Sequence, residues 1–180
     1  GEIRTNHLHS GIDIKTNGTE GARVYAVADG YVSRISVSPY GFGKALYINH
    51  PNGYTSVYGH LRYFAGPIHD YVMKEHYRRE SFEMNIYLDP ATLPVKKGDL
   101  VAFSGNSGSS GGPHLHFEMR NDATQDPINP LLFGYEVKDQ YTPRMTWLKI
   151  YAVGPSGRIN VMNKDLKLQV EGWGREHRLS

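Results

Sequence analysis

The sequence predicts a mainly antiparallel all-β fold interrupted by one helical insertion. Three observations point there. Short runs in which branched and aromatic residues alternate with small or polar ones recur between Gly, Pro, Asn and Asp turn signals, and that period of two belongs to half-buried strands. Only one segment carries apolar residues at three-to-four spacing. The composition, 39% hydrophobic and 21% charged, is that of an ordinary globular protein with enough apolar surface to bury a core.

In chain order, residues 24–27, 30–37 and 45–48 read as strands of a meander, separated by Asp29-Gly30 and Pro39-Tyr40-Gly41 turns. Pro51-Asn52-Gly53 is a hairpin turn into a strand over 54–60, where Tyr54, Ser56, Tyr58 and His60 are expected on one face and Val57 and Leu61 on the other. From Pro67 to about Tyr87 the stripe Ile68, Tyr71, Val72, Phe82 and Ile86 predicts the insertion helix, with Pro67 suited to its first turn. A charged turn at 95–99 leads to a strand at 100–104, then to the loop Gly105-Asn106-Ser107-Gly108-Ser109-Ser110-Gly111-Gly112-Pro113. That loop lacks the lysine a phosphate-binding loop needs after its glycines. Past Asp126-Pro127-Ile128-Asn129-Pro130 the composition shifts and β patterns return at 146–153 and 166–170. About forty residues are too few to close a β-sandwich, so the expected organisation is a first domain over 1–138, with the insertion at 62–94, and a second, cut-short β-sandwich-like segment over 139–180.

Composition restricts the chemistry. There are nine histidines and no cysteine, which excludes disulfides and thiolate metal sites and leaves imidazole and carboxylate as metal donors. A net charge of +2 gives no support to nucleic-acid binding. No run is long and apolar enough to insert into a membrane. The chain starts at Gly1 and reads as a piece of a longer protein, from which a signal peptide could have been lost.

Three clusters carry candidate chemistry. In an extended His9-Ser10-Gly11-Ile12-Asp13, alternate side chains share a face, and Gly11 leaves room for a metal between the His9 imidazole and the Asp13 carboxylate. In Pro113-His114-Leu115-His116-Phe117-Glu118 the same period places His114, His116 and Glu118 on one face and Leu115 and Phe117 on the other. His60 stands at the end of the 54–60 strand. Taken singly, each cluster reads first as an ordinary surface strand with polar residues. Taken together, the order H-x-G-x-D, Y-x-H-L, glycine loop and P-H-L-H-F-E resembles the lysostaphin-type zinc metallopeptidases. Residues 9–13, 54–61 and 98–120 carry the resemblance, and 2–135 is compatible with it.

The resemblance implies an all-β catalytic domain, one Zn2+, and endopeptidase cleavage of peptide cross-links in bacterial peptidoglycan, hence stem peptides as partners and an exported enzyme of the periplasm or cell envelope. Matched position by position, His9, Asp13 and His116 correspond to the zinc ligands, and His60 and His114 to the catalytic histidines. Three ligands leave zinc one open position. No H-E-x-x-H is present, so imidazole must do the acid–base work. Glu118 is either an acceptor for the second N–H of a ligand histidine or an ordinary exposed glutamate. His7 shares the parity of His9 and is expected to line the cleft, while His50, His69, His76 and His177 are expected to be solvated surface residues. The insertion departs from simpler members; starting just after His60, it is expected to form a lid or cleft wall, against the alternatives of a helix packed away from the cleft or a platform for the C-terminal segment. The competing function classes are a non-catalytic envelope module that binds or regulates cell-wall enzymes, which predicts missing histidines where none of the family positions is missing, and a structural zinc domain with its fourth position filled by His7 or by a residue of the insertion. In either, the insertion or the C-terminal segment would dock envelope partners.

Overall fold

The computed structural model describes residues 9–135 together with the backbone of 147–150, 166–171 and 178–179. His7 and His177 lie outside the described residues. The chain divides into two compact units, Gly1–Glu136 and Val137–Ser180.

In the first unit the chain runs β1 (Ile12–Lys15), β2 (Arg23–Tyr25), β3 (Gly30–Val37), β4 (Lys44–Asn49), β5 (Tyr54–Phe64), α1 (Gly66–Arg79), β6 (Met84–Tyr87), β7 (Pro94–Val95), β8 (Leu100–Ser104), β9 (His114–Asn121) and β10 (Pro127–Ile128), followed by a 3-10 turn at Pro130–Phe133. One antiparallel sheet has the spatial order β1-β9-β5-β4-β3-β6, with β8 beside the far end of β5 and β2 beside β8. Directly paired residues point to the same side of a sheet. The row Phe117, Tyr58, Leu46, Ile35, Ile86, each paired with the next across five strands, therefore marks one face. This face holds the main core, in which Val32, Ile48, Leu61, Val101 and Ala102 join that row. One residue along every strand lies the opposite row, Glu118, Val57, Tyr47, Arg34, Tyr87, with a small cluster of Ala45, Tyr47, Val57 and Phe42 beneath the site described below.

The predicted helix is present but shorter. Pro67 sits in its first turn, and it ends at Arg79, where Glu80 takes a left-handed φ of 49° and its N–H caps the carbonyls of His76 and Tyr77. Phe82 is 85% exposed, and Ile86 belongs to a strand. Residues 84–87 alternate buried and exposed and pair with β3, so period two prevails over the loose three-to-four stripe. Ile68 and Val72 of α1 pack into the main core beside Phe64 and Val101, on the face opposite His116. The lid expectation is therefore not met. The insertion supplies a helix that seals the core and an additional edge strand.

The expected face pattern of β5 is also corrected. Ser56 and Tyr58 turn toward the main core and Val57 to the other face, opposite Glu118. Between Tyr58 and Leu61 a bulge opposite Lys44–Leu46 breaks the alternation, and His60 takes a positive φ of 58°, unusual for a non-glycine residue. Leu61 enters the core, and His60 is aimed away from it. Nor is His50 a solvated turn residue: it is buried, its Nδ1–H donates to the Asp29 carbonyl at 2.8 Å, and its Nε2 is 2.8 Å from Ser56 Oγ. His69 is exposed, and His76 donates through Nδ1 to the Ser81 carbonyl.

In the second unit β11 (Trp147–Ile150), β12 (Leu166–Glu171) and β13 (Arg178–Leu179) form a three-stranded antiparallel sheet.

Candidate metal centre

Two segments far apart in sequence build the centre. Asp13 of β1 pairs directly with His116 of β9, and His9 precedes β1 so that its ring reaches the same point. Gly11 makes this crossing possible, because a Cβ there would run into the Phe117 carbonyl oxygen and the Glu118 side chain. His9 Nε2 lies 3.0 Å from His116 Nδ1 and 3.1 Å from Asp13 Oδ1, and the last two atoms are 3.0 Å apart. Among the described residues this is the group of His, Asp and Glu side chains whose ligand atoms converge, all within 4.8 Å of one another. Zinc with nitrogen and oxygen ligands at about 2.0–2.1 Å in tetrahedral geometry requires ligand–ligand edges of about 3.3 Å, close to this triangle. The donor set, two imidazoles and a carboxylate with no thiolate, also suits zinc. Burial opposes the Asp13 charge, but the surrounding imidazoles of His116, His9 and His114 outweigh it and hold the carboxyl below its ordinary range.

Behind the triangle stands Glu118, fully buried. His116 Nε2–H donates to Glu118 Oε1 at 2.8 Å, which leaves Nδ1 as the bare nitrogen toward Asp13 and His9. Ser10 Oγ donates to the same oxygen, and Arg120 donates from Nε to Oε2 at 2.6 Å, with its Nη2 in an ion pair to that oxygen at 2.6 Å. Burial would raise the Glu118 pKa, yet the hydrogen bonds from His116, Ser10 and Arg120 bring it down to about 2. One carboxylate thus ties the His9-Ser10 segment and the His116 ring together. Of the two sequence readings of Glu118, the exposed glutamate is set aside.

The remaining two histidines stand beside the triangle, and of the two His60 lines the cleft. The glycine loop supplies an anchor for each: His60 Nδ1–H donates to the Ser107 carbonyl and His114 Nδ1–H to the Gly112 carbonyl, each at 2.8 Å. Their rings are 4.8 Å apart, and His114 Nε2 is buried without a hydrogen-bond partner, 3.5 Å from Asp13 Oδ1. Burial pushes the His60 imidazole below its ordinary pKa, against the opposing effect of the Ser107 carbonyl. The five predicted site residues therefore gather in one place, three converging through ligand atoms and two with Nδ1 tied to loop carbonyls.

Sequence reasoning missed the wall of this site. Phe42, at the tip of the β3–β4 hairpin, stacks on the His116 ring at 4.8 Å and 23°, and its carbonyl accepts the His60 N–H. The hairpin is laced to the glycine loop by Gly41 N to Ser109 Oγ, Ser109 N to Gly41 O and Lys44 N to Ser107 Oγ. Phe42 between two glycines in a turn is the only sequence signal for it. His9, Ser10, Gly41, Phe42, His60, Ser109 and His116 line a cleft of about 390 Å3, to which residues 62–94 contribute nothing.

Comparison with known proteins agrees with this architecture. The model of Peptidase family M23 matches residues 7–76 and 87–130, leaving out 77–86. Over 129 residues the chain is 31% identical to the DD-carboxypeptidase/endopeptidase Mpg of Neisseria meningitidis serogroup B, covering 72% of this chain and 23% of that protein, so it spans about a quarter of that relative's length. The catalytic domain of the antimicrobial peptidase lysostaphin from Staphylococcus simulans shares the fold, with a TM-score of 0.51 at 22% identity over 72% of this chain and 80% of that one. The structure of the SpoIIQ–SpoIIIAH pore-forming complex holds a similar chain, with a TM-score of 0.52 at 25% identity over 73% and 69%.

Proposed function

The chain belongs to peptidase family M23, and on that premise we propose that it is a zinc-dependent endopeptidase that hydrolyses peptide cross-links of bacterial peptidoglycan. One observation carries the reading: three ligand-type atoms converge beside two imidazoles whose Nδ1 positions are already committed to loop carbonyls. Held by His9, Asp13 and His116, zinc would supply a Lewis acid for the scissile carbonyl and lower the pKa of a bound water to about 7. His60 and His114 do the rest. With Nδ1–H fixed, neutral Nε2 is the acceptor that takes the proton of the attacking water, and the protonated ring donates to the developing oxyanion or returns the proton to the departing amine. The lowered pKa of His60 favours the neutral ring a base requires at neutral pH. Phe42 and the laced loops limit the rotation of His60 and His116 and keep bulk water from one side of the cleft.

Support for the substrate comes from the relative named a DD-carboxypeptidase/endopeptidase. A peptidoglycan substrate puts the enzyme outside the cytoplasm, in the periplasm or cell envelope. We assign the peptidase to residues 1–138 and leave 139–180 as a separate β segment. The second reading, a non-catalytic zinc-containing envelope module, is favoured by the likeness to a chain of the SpoIIQ–SpoIIIAH complex.

A single series separates the two. His60→Ala and His114→Ala should keep stoichiometric zinc and lose cleavage of purified sacculi by about 10²–10⁴-fold, whereas His9→Ala and His116→Ala should lose metal and cleavage together. Metal content by mass spectrometry and released muropeptides by chromatography are the readouts. Wild-type protein that holds zinc and releases nothing would establish the second reading.

A further inference from the structure

His60 is aimed by a backbone irregularity, and one residue of the glycine loop grips it. Lys44 of β4 and Leu61 of β5 are the partners that close the bulge, with Leu46 and Tyr58 on its other side. Between the closing pair stands the Ser107 hydroxyl, which accepts from Lys44 N at 3.0 Å and donates to the Leu61 carbonyl at 2.7 Å. A serine hydroxyl has one proton to give and lone pairs to receive, so it serves both strands at once. From the same residue the backbone carbonyl accepts the His60 Nδ1–H at 2.8 Å. Ser107 therefore acts on His60 twice, through the strand pair beside its φ of 58° and through its ring nitrogen. A non-glycine residue keeps such a φ only where its surroundings hold it there.

The loop that carries Ser107 is held against the β3–β4 hairpin backbone to backbone. A Cβ on Gly43 would run into the Ser107 carbonyl carbon and hydroxyl, and one on Gly108 would run into Gly43 N and the Gly41 carbonyl oxygen. Both glycines take positive φ, 64° and 71°, which side chains disfavour. Ser107 is thus fixed on both sides. It belongs neither to the converging ligand atoms nor to the cleft lining, which includes Ser109 instead. What it contributes to a reaction in the cleft passes through His60.

Resting on the peptidase reading, we propose that Ser107 is the positioning residue of His60. Its hydroxyl holds the β4–β5 bulge that aims the side chain, and its carbonyl keeps Nδ1 protonated, which leaves Nε2 as the nitrogen that exchanges the proton. Loss of the hydroxyl then lowers the rate of cleavage and spares both zinc and substrate binding.

The test sets Ser107→Ala and Ser107→Thr against Ser33→Ala. Ser33 donates to Asn49 Oδ1 at 2.5 Å and does not line the cleft, so its loss measures the cost of deleting an inter-strand hydroxyl elsewhere in the sheet. Each zinc-loaded full chain is measured for metal content, for kcat and KM on purified cross-linked muropeptides, and for the His60 ring by 1H–15N correlation spectra, with His60→Ala assigning the signal. Ser107→Ala should keep full zinc, lose about 10- to 100-fold in kcat with KM within about twofold, and lose its His60 Nδ1–H signal to exchange with water. Ser107→Thr keeps the hydroxyl and returns kcat and the signal toward wild type, and Ser33→Ala alters neither. A wild-type kcat or an unchanged His60 signal in Ser107→Ala overturns the proposal. So does a fall in kcat that comes with zinc loss, that Ser107→Thr does not relieve, or that Ser33→Ala reproduces, since Ser107 would then be a general staple. Where Ser107→Ala does not fold, Ser107→Cys, with a weakly donating thiol in place of the hydroxyl, carries the same comparison. If wild type cleaves nothing, the peptidase reading fails, and the His60 spectra still decide whether Ser107 fixes the ring.

Discussion

Two rows of neighbours cross the sheet one residue apart, and they differ in almost every property. Phe117, Tyr58, Leu46, Ile35 and Ile86 are all at most 5% exposed and face a continuous apolar core. Glu118, Val57, Tyr47, Arg34 and Tyr87 range from 0% to 71% exposed and carry the carboxylate behind the candidate metal centre at one end and an oriented guanidinium at the other. A shift of one residue in register would exchange them, which is why the apolar row pins the register that the polar row needs. The comparison also shows that the site face is not simply the wet face. Glu118, Val57 and Tyr47 are as buried as the core, because the β3–β4 hairpin, the His9–Gly11 segment and two arginines lie over them. That covering makes the Glu118 hydrogen bonds strong.

If the two rows are functionally separate, damage to one should leave the other intact. Ile35→Ala removes a fully buried side chain from the core row and is expected to lower unfolding stability by about 2–5 kcal/mol in urea titrations, with zinc affinity unchanged below the transition. A parallel fall in zinc affinity would mean that the rows are coupled. Glu118→Gln acts on the other row: it keeps an acceptor for His116 but withdraws the charge that Ser10 and Arg120 share. Zinc affinity, read by competition with a chromophoric chelator, should fall about 10- to 100-fold with the core intact, and equal affinity would show that the triangle needs no support from behind. The smallest effect tests the one polar atom in the core row. Tyr58 Oη accepts from Val27 N at 3.1 Å and from Ser56 Oγ at 3.2 Å, and burial pushes its pKa up to about 12. Tyr58→Phe should cost about 1 kcal/mol of stability and leave cleavage of sacculi unaltered. A change in cleavage would place the His50–Ser56–Tyr58 chain in contact with the chemistry.

The legible parts of this molecule are those governed by local period. The alternation in His114-Leu115-His116-Phe117-Glu118 indicates which side chains face the core, and β9 follows it. The same rule fails one strand away. Tyr54 to His60 alternates just as cleanly in the sequence, but an extra residue opposite Lys44–Leu46 moves His60 off the face that parity assigns. Nothing local to His60 announces the bulge; it is set by pairing with β4 and by the Phe42 carbonyl. His50 fails for a related reason: a histidine before Pro51-Asn52-Gly53 looks solvated until the Asp29 turn and Ser56 close around it. The insertion helix is overlong in the sequence reading because Ile86 fits a helical stripe as well as a strand until β3 is there to pair with it.

By itself the sequence determines the donor chemistry, with imidazole and carboxylate but no thiolate, the all-β class, and the order of motifs that resembles one peptidase family. Tertiary structure decides the rest: how His60 is aimed, that Glu118 is a buried clamp instead of a surface charge, that α1 seals the core instead of the cleft, and that the Ser107 hydroxyl stands between β4 and β5. The physical reason is separation. Ser10 meets Glu118 across 108 residues and His60 meets Ser107 across 47, and no periodicity within a strand encodes a hydrogen bond of that span.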